Sequence, residues 1–259
     1  IEDSTILHTP QMIDTERPDR VASMLAEGKV AVIVSGSPFA LVMPTTANEL
    51  FRSAEDSYVR FPYANFFKII RIIGLFLTLL LPGFYIATIN YHAEMLPTDL
   101  LLAIEASRER VPFPSIVEML ILEVSFELIR EAGVRIPGPI GPTLGIIGAL
   151  ILGQAAVAAN IVSPILIIIV AVTGIGSFSV PSFSLAFSLR ILRFAYILLG
   201  TMGGFLGLTT GLFVHLITLV NAKSFGVPFM VPMGPKTSDS YIHEITRAPV
   251  WKQEKRPDY

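Results

Sequence analysis

Four glutamates set in one apolar stretch are the residues best placed to do chemistry. In Ser115–Glu131 (SIVEMLILEVSFELIRE), Glu123, Glu127 and Glu131 recur at every fourth position, so a helix gathers them into one carboxylate stripe; Glu118 falls on the opposite, otherwise apolar side. A mid-helix acidic group facing lipid costs about 2.5–3.5 kcal/mol. Two readings therefore stand side by side. The helix lies at a membrane interface with its glutamates in water, or the stripe lines a water-filled path that attracts cations. Further along, Gln154 sits at mid-depth in an apolar run, Asn160 at its end, and Val157 between them could form an apolar constriction. For Gln154 and Asn160, hydrogen bonding at a helix end competes with pore lining.

Other chemistry is missing from the pattern. The sequence holds no phosphate-binding glycine loop, no dinucleotide fingerprint, no zinc-protease motif and no nucleophile elbow. His8, His92, His215 and His243 lie in separate segments. With no cysteine there is no thiolate ligand, disulfide or cysteine nucleophile. We expect no catalytic residues, metal or cofactor, hence no enzyme. The polar groups suit permeation or assembly.

These groups must be positioned by membrane helices. The 259 residues are 52% hydrophobic and 15% charged, with mean hydropathy +0.64, against about 25% charged in ordinary soluble domains. Net charge is −2, which favours no nucleic-acid partner. Charge is concentrated in two flanks, dividing the chain into 1–65, the C-terminal part of a soluble α/β domain; 66–220, a membrane domain; and 221–259, a C-terminal segment. The chain opens on Ile1 without a signal-peptide pattern and reads as the C-terminal part of a longer protein.

In the first flank, Asp14–Pro18 supplies helix-capping residues for a helix over Asp19–Glu27 that stops at Gly28. Lys29–Val34 and Phe39–Met43, around a Ser/Gly/Pro turn, predict a hairpin. Ile69–Ile89 carries a single charge, Arg71, in 21 residues, enough to span a bilayer, with Pro82 as a kink. Lys68 and Arg71 place its first end in the cytoplasm. Arg135–Pro142 (RIPGPIGP) reads as a rigid turn. Thr143–Ala159 is rich in small residues, with Gly145 and Ala149 on one face and Gly148 beside them; Pro164–Val180 follows, as a second span or the return of a re-entrant hairpin. In Phe194–Val220, Gly203, Gly207 and Gly211 form a stripe for close helix packing or oligomer contacts, continued by His215. Four spans (Ile69–Ile89, Thr143–Ala159, Pro164–Val180, Phe194–Val220), with the glutamate helix not crossing, keep both basic flanks on one side. Five would suit Arg130, Arg135, Arg190 and Arg193 better but export the tail bearing Lys236, Arg247, Lys252, Lys255 and Arg256. The fold class expected is an α-helical integral membrane protein of about four spans plus amphipathic or re-entrant helices, with the tail end of an α/β domain.

From Ile104 the sequence is less generic. IEASRERVPFPSIVEMLILEVSFELIREAGVRIPGPIG, GALILGQAAVAANIVSP and SVPSFSLAFSLRILRF resemble the A-subunit family of bacterial spore germination receptors, the GerA family. So do TERPDRVASMLAEGKVAVIVSGSPFALVMP, LLPGFYIATINYHAEMLPTDLL, KSFGVPFMVPM and RAPVWKQEKRPDY, so the resemblance covers nearly the whole chain. RIPGPIGPTLGIIGALILGQAAVAANIVSP and VWKQEKRPDY are most similar to the stage V sporulation branch (SpoVAF-like). The resemblance implies a multi-pass protein of the spore inner membrane with both flanks cytoplasmic. It further implies a homo-oligomer, a pentamer, forming a cation channel that opens early in germination. Implied partners are membrane lipid, GerA-type B and C subunits or a small partner membrane protein, and no nucleic acid. A SpoVAF-like member would amplify the signal rather than sense the nutrient. The channel's pore would run along Gly145–Val157 with the Glu118–Glu131 helix as vestibule; a non-conducting scaffold that gathers germination proteins is the alternative.

Overall fold

The computed structural model describes residues 9–135, 140–231 and 233–235, and their side chains except at 134 and 140–146. The expected environment of Gly145 and the basic tail from Lys236 onward lie outside the described residues. The chain divides into two compact units, one drawn from Ile1–Leu75, Phe178–Ile191 and Leu212–Tyr259, the other from Phe76–Ser177 and Leu192–Gly211.

In the first unit, β1 (Ile13–Thr15), α1 (Pro18–Ala26), β2 (Val30–Ile33) and β3 (Ala40–Met43) form a small α/β element. The expected hairpin is present, β2 antiparallel to β3 with Val30 opposite Met43 and Ile33 opposite Ala40. A strand not foreseen, β1, pairs on the other side of β3, giving the order β1-β3-β2. Asp14 and Thr15 are therefore strand residues, and the α1 N-cap is Arg17, which makes no side-chain cap. Pro18 still opens the helix, where its missing N–H costs nothing.

A buried Lys29–Glu49 ion pair and the bond from Lys68 Nζ to Asn48 Oδ1 (2.7 Å) tie this element to the base of α2 (Phe61–Tyr91). Arg71 pairs with Asp56 there, Nη2 to Oδ1 at 2.8 Å. Arg71 is thus an anchored residue at the helix base rather than a lone charge in lipid.

The 31 residues of α2 extend about 46 Å as a helix, longer than a bilayer core. After α3 (Thr98–Arg108) come α4 (Ser115–Arg135), α5 (Ile140–Ala158) and α6 (Pro164–Phe178). α5 starts earlier than the expected turn allows, because Pro142 sits in its first turn, where a helix tolerates proline. By length and composition, two helices among the described residues could cross a membrane, α2 and α7 (Phe183–Asn221).

α7 departs from the expected single span over Phe194–Val220. Gly204 has φ +55° and ψ −139°, outside helical geometry. Leu199 lies against Gly207 and Gly211, and the Tyr196 ring also approaches Gly211. On a straight helix Leu199 and Gly211 would be about 18 Å apart. The segment therefore folds back on itself as a helical hairpin, the reversal placed at a residue without a Cβ. Both its ends return to the first unit. Ser184 Oγ donates to Asp14 Oδ1 (3.0 Å) near the start. After the second arm, β4 (Lys223–Ser224) and β5 (Val227–Pro228) follow, where Ser224 Oγ donates to the Gln11 carbonyl (2.7 Å) and accepts from Thr45 N–H (2.9 Å).

In the second unit, Ile86, Met119, Leu122, Val162, Leu166, Val170 and Ile197 form one buried cluster from α2, α4, the α5–α6 junction, α6 and α7. α2 meets the first arm of α7 backbone to backbone. A Cβ at Gly83 would fall 2.7 Å from the Tyr196 carbonyl oxygen, and one at Gly200 2.6 Å from that of Gly83.

Candidate ion path and buried ion-pair cluster

α4 carries the glutamates at the spacing expected, but Glu118 and Glu123 are enclosed by protein, Glu127 is half-buried and Glu131 alone is exposed. Glu118 is 1% exposed. It accepts from the Ser163 N–H at 3.0 Å and lies 3.5 Å from Arg108 Nε. One carboxylate thereby joins the first turn of α4 to the α5–α6 junction and the end of α3. Glu123 is fully buried, with its Oε2 2.8 Å from Nη2 of Arg193, itself fully buried. The same nitrogen is 3.9 Å from Glu127 Oε2, and Arg130 Nη1 lies 3.6 Å from that oxygen. Arg130 also donates to Ser177 Oγ on α6 at 2.8 Å and rests over the Phe126 ring. Glu131, exposed, pairs with Arg135 one turn on.

Each carboxylate of the stripe therefore has an arginine beside it, and the cluster Glu123, Glu127, Arg130, Arg193 sums to zero charge. Burying a charge is tolerated only when it is paired in this way. Glu118 and Glu123 are enclosed by the chain itself. The sequence placed Arg193 near the head of a span but did not connect it to Glu123, 70 residues away. The available signal was charge balance: intramembrane carboxylates call for partners of opposite sign, and α7 holds arginines.

α5 arranges its residues differently. Ile147, Leu150, Ile151, Gln154, Ala155 and Ala158 are exposed along one stripe at helical spacing. Its other side is partly engaged, with Leu152 exposed there: Gly148 faces Ile129 of α4 (3.6 Å from a Cβ placed there), and Gly153 faces Ile167 of α6. Ala149 is half-buried, and Val157 is half-buried against the unit's apolar cluster. Asn160 is exposed and has φ +54°, in the left-handed region. The Ile161 N–H bonds the Ala156 carbonyl and the Asn160 N–H that of Val157, both at 2.9 Å. This is a Schellman ending, in which Asn is the usual substitute for Gly. The backbone of Asn160 thus closes a helix end. The glycines of α7 are divided by the break: Gly203 has open space where a Cβ would point, whereas Gly207 and Gly211 are covered by Leu199 of the same chain.

The family described as Bacillus/Clostridium GerA spore germination protein matches residues 1–259. The chain belongs to this GerA family. It is 47% identical over 258 residues to spore germination protein KA of Bacillus subtilis, covering 100% of this chain and 47% of that protein. It is 43% identical over 257 residues to the uncharacterized membrane protein YfkQ of the same organism (99% and 50%), and 40% identical over 259 residues to spore germination protein GerLA of Bacillus cereus (100% and 53%). The chain spans about half the length of the curated relatives it matches. No solved structure matches it. In this GerA-family chain the exposed stripe of α5 and the paired charges of α4 are separate features; the sequence had left the α4 glutamates either as an interfacial face in water or as part of an ion path.

Proposed function

We propose that this GerA-family chain is the membrane part of a subunit that assembles into a homo-oligomeric cation channel acting in spore germination. The observation that carries the reading is the uncovered stripe of α5, six residues at helical spacing with Gln154 at its middle and small residues toward its end. A ring of such helices supplies an apolar lining that can gate by dewetting, with one polar girdle that offers a passing ion ligands in place of water. Five-fold symmetry is the count that the family resemblance implies.

The bilayer arrangement follows from parity. Both ends of α7 meet the flank from which α2 departs, so its two arms make two crossings, and Tyr91 to Phe183 must supply an odd number. We place α4, α5 and α6 across the membrane, giving six crossings in all. Support comes from contacts between ends that should share a side: Ser115 Oγ with Asn90 Oδ1 (2.9 Å), Glu118 with Ser163, and Tyr91 Oη donating to the Thr201 carbonyl (2.6 Å). The same count puts Arg130, Arg135, Arg190 and Lys223 on the side of Lys68 and Arg71, in keeping with the positive-inside rule. It removes the conflict that made four crossings preferable to five. The residues following α7 then share the cytoplasmic side, in a spore membrane, with germination subunits of other types as partners.

The test is potassium flux through the purified full-length protein in liposomes, read beside its oligomer size. A ring that conducts, and whose conductance changes with Gln154→Leu, supports the channel. A ring that forms and carries no flux makes the protein a scaffold instead.

A further inference from the structure

Arg193 is the largest fully buried side chain among the described residues. It faces two carboxylates on α4 rather than one. Glu123 and Glu127 are four residues apart, about 6 Å along a helix axis, so they present the same group one turn apart. The Arg193 Nη2 is seated at 2.8 Å on the first and stands 3.9 Å from the second. Arg130 is shared between Glu127 and Ser177 of α6, so it keeps a hydrogen-bond partner when Glu127 takes up Arg193. That transfer leaves Glu123 without its counter-charge, a cost that keeps the Glu123 seat the resting one. Packed helices that slide do so between discrete registers, and a shift of one turn is among the recognised steps. The arm bearing Arg193 ends at Gly204, the one non-helical residue of α7 and a natural hinge. α4 in turn packs along α5, where Ile129 faces Gly148.

We propose that Glu123 and Glu127 are alternative seats for Arg193, making the contact between α4 and the first arm of α7 a two-position clasp. The Glu123 seat, occupied here, is the closed state of the channel, and transfer to Glu127 moves α4 and with it the pore helix α5. This rests on the channel reading above. It assigns the glutamates to gating, with the ion path left to α5.

The experiment compares variants of the full-length protein by potassium flux in liposomes and by amide hydrogen exchange of α7 in detergent. Glu123→Gln should raise basal flux about tenfold, the scale of a typical coupling between two states, and speed exchange in the first arm. Glu127→Gln, which removes the open seat, should act in the opposite direction, lowering basal flux below the parent without speeding exchange in the first arm. Exchanging the charges, Glu123→Arg with Arg193→Glu, should return flux and exchange toward the parent even if Glu123→Gln alone assembles poorly. Equal effects of the two glutamine variants, or failure of the exchanged pair to restore what Glu123→Gln loses, would overturn the clasp. Absence of flux from the parent would sink the channel reading alone, since the exchange measurement still decides whether the two seats differ.

Discussion

Asn160 illustrates how a polar residue at the end of an apolar helix takes its role from the backbone. With φ +54° and its N–H on the Val157 carbonyl, it holds a conformation that β-branched residues avoid. Asn160→Val should lower stability by about 1–2 kcal/mol, whereas Asn160→Gly should leave it unchanged, as read by thermal unfolding in detergent. In the first unit, Asp19 accepts from Arg17 (2.9 Å) and from the Tyr58 hydroxyl (2.7 Å). The bonds from Arg17, then Tyr58, hold its carboxyl well below the usual carboxylate range. A carboxyl depressed on folding stabilises the fold above its unfolded pKa of about 4, and that contribution fades as pH falls toward the folded value. Asp19→Asn should therefore flatten the acid limb of stability, a small effect because the pair is exposed. An unchanged acid limb in that variant would show that the pair does not report on folding. The glutamate spacing was legible at this scale and the arginine partners were not, since a pairing 70 residues distant leaves no periodic mark.

At the scale of elements, the hairpin of α7 changes most. The sequence showed a long apolar segment with glycine every fourth residue, and that pattern suits a straight packing stripe equally well. The outcome turns on Gly204, which lies beside the stripe rather than in it. The chain lacks cysteine, so single cysteines report sidedness if no other thiol is present. A cysteine replacing Met202, 80% exposed, should react with an impermeant reagent from the side opposite to one replacing Lys223. Reaction of both from one side would refute the hairpin as two crossings. Gly83 and Gly200 hold α2 and α7 at backbone contact. Gly200→Leu should force the helices apart and cost about 1–3 kcal/mol, or more if no neighbour yields, measured by unfolding in detergent. By contrast, α1, the β2–β3 hairpin and α2 were all legible, because local propensity, turn residues and length suffice for them. β1 was not, being three residues whose strand conformation depends on β3 beside them.

For the whole molecule, the open stripe of α5 is one of several apolar faces the single chain leaves uncovered, and it carries an exposed amide, Gln154, at its middle. Gln154→Leu should leave oligomer size intact while altering conductance, because Gln154 lies mid-stripe and exposed rather than in the α4 contact. A changed oligomer with unchanged conductance would move that residue from pore to interface. Composition and pattern by themselves determined that the middle of this chain is apolar and helical, that carboxylates recur along α4, and that its irregular motifs resemble the GerA family, to which it belongs. Those properties depend on residue type and short spacing, which are local. Tertiary structure alone decided that Glu118 and Glu123 are enclosed, that Arg193 is the counter-charge, and that α7 folds back so that both its ends meet the first unit. Each depends on which distant segments meet. In an apolar medium an unpaired charge is too costly to leave exposed, so the chain brings its arginines to its glutamates, wherever in the sequence they lie.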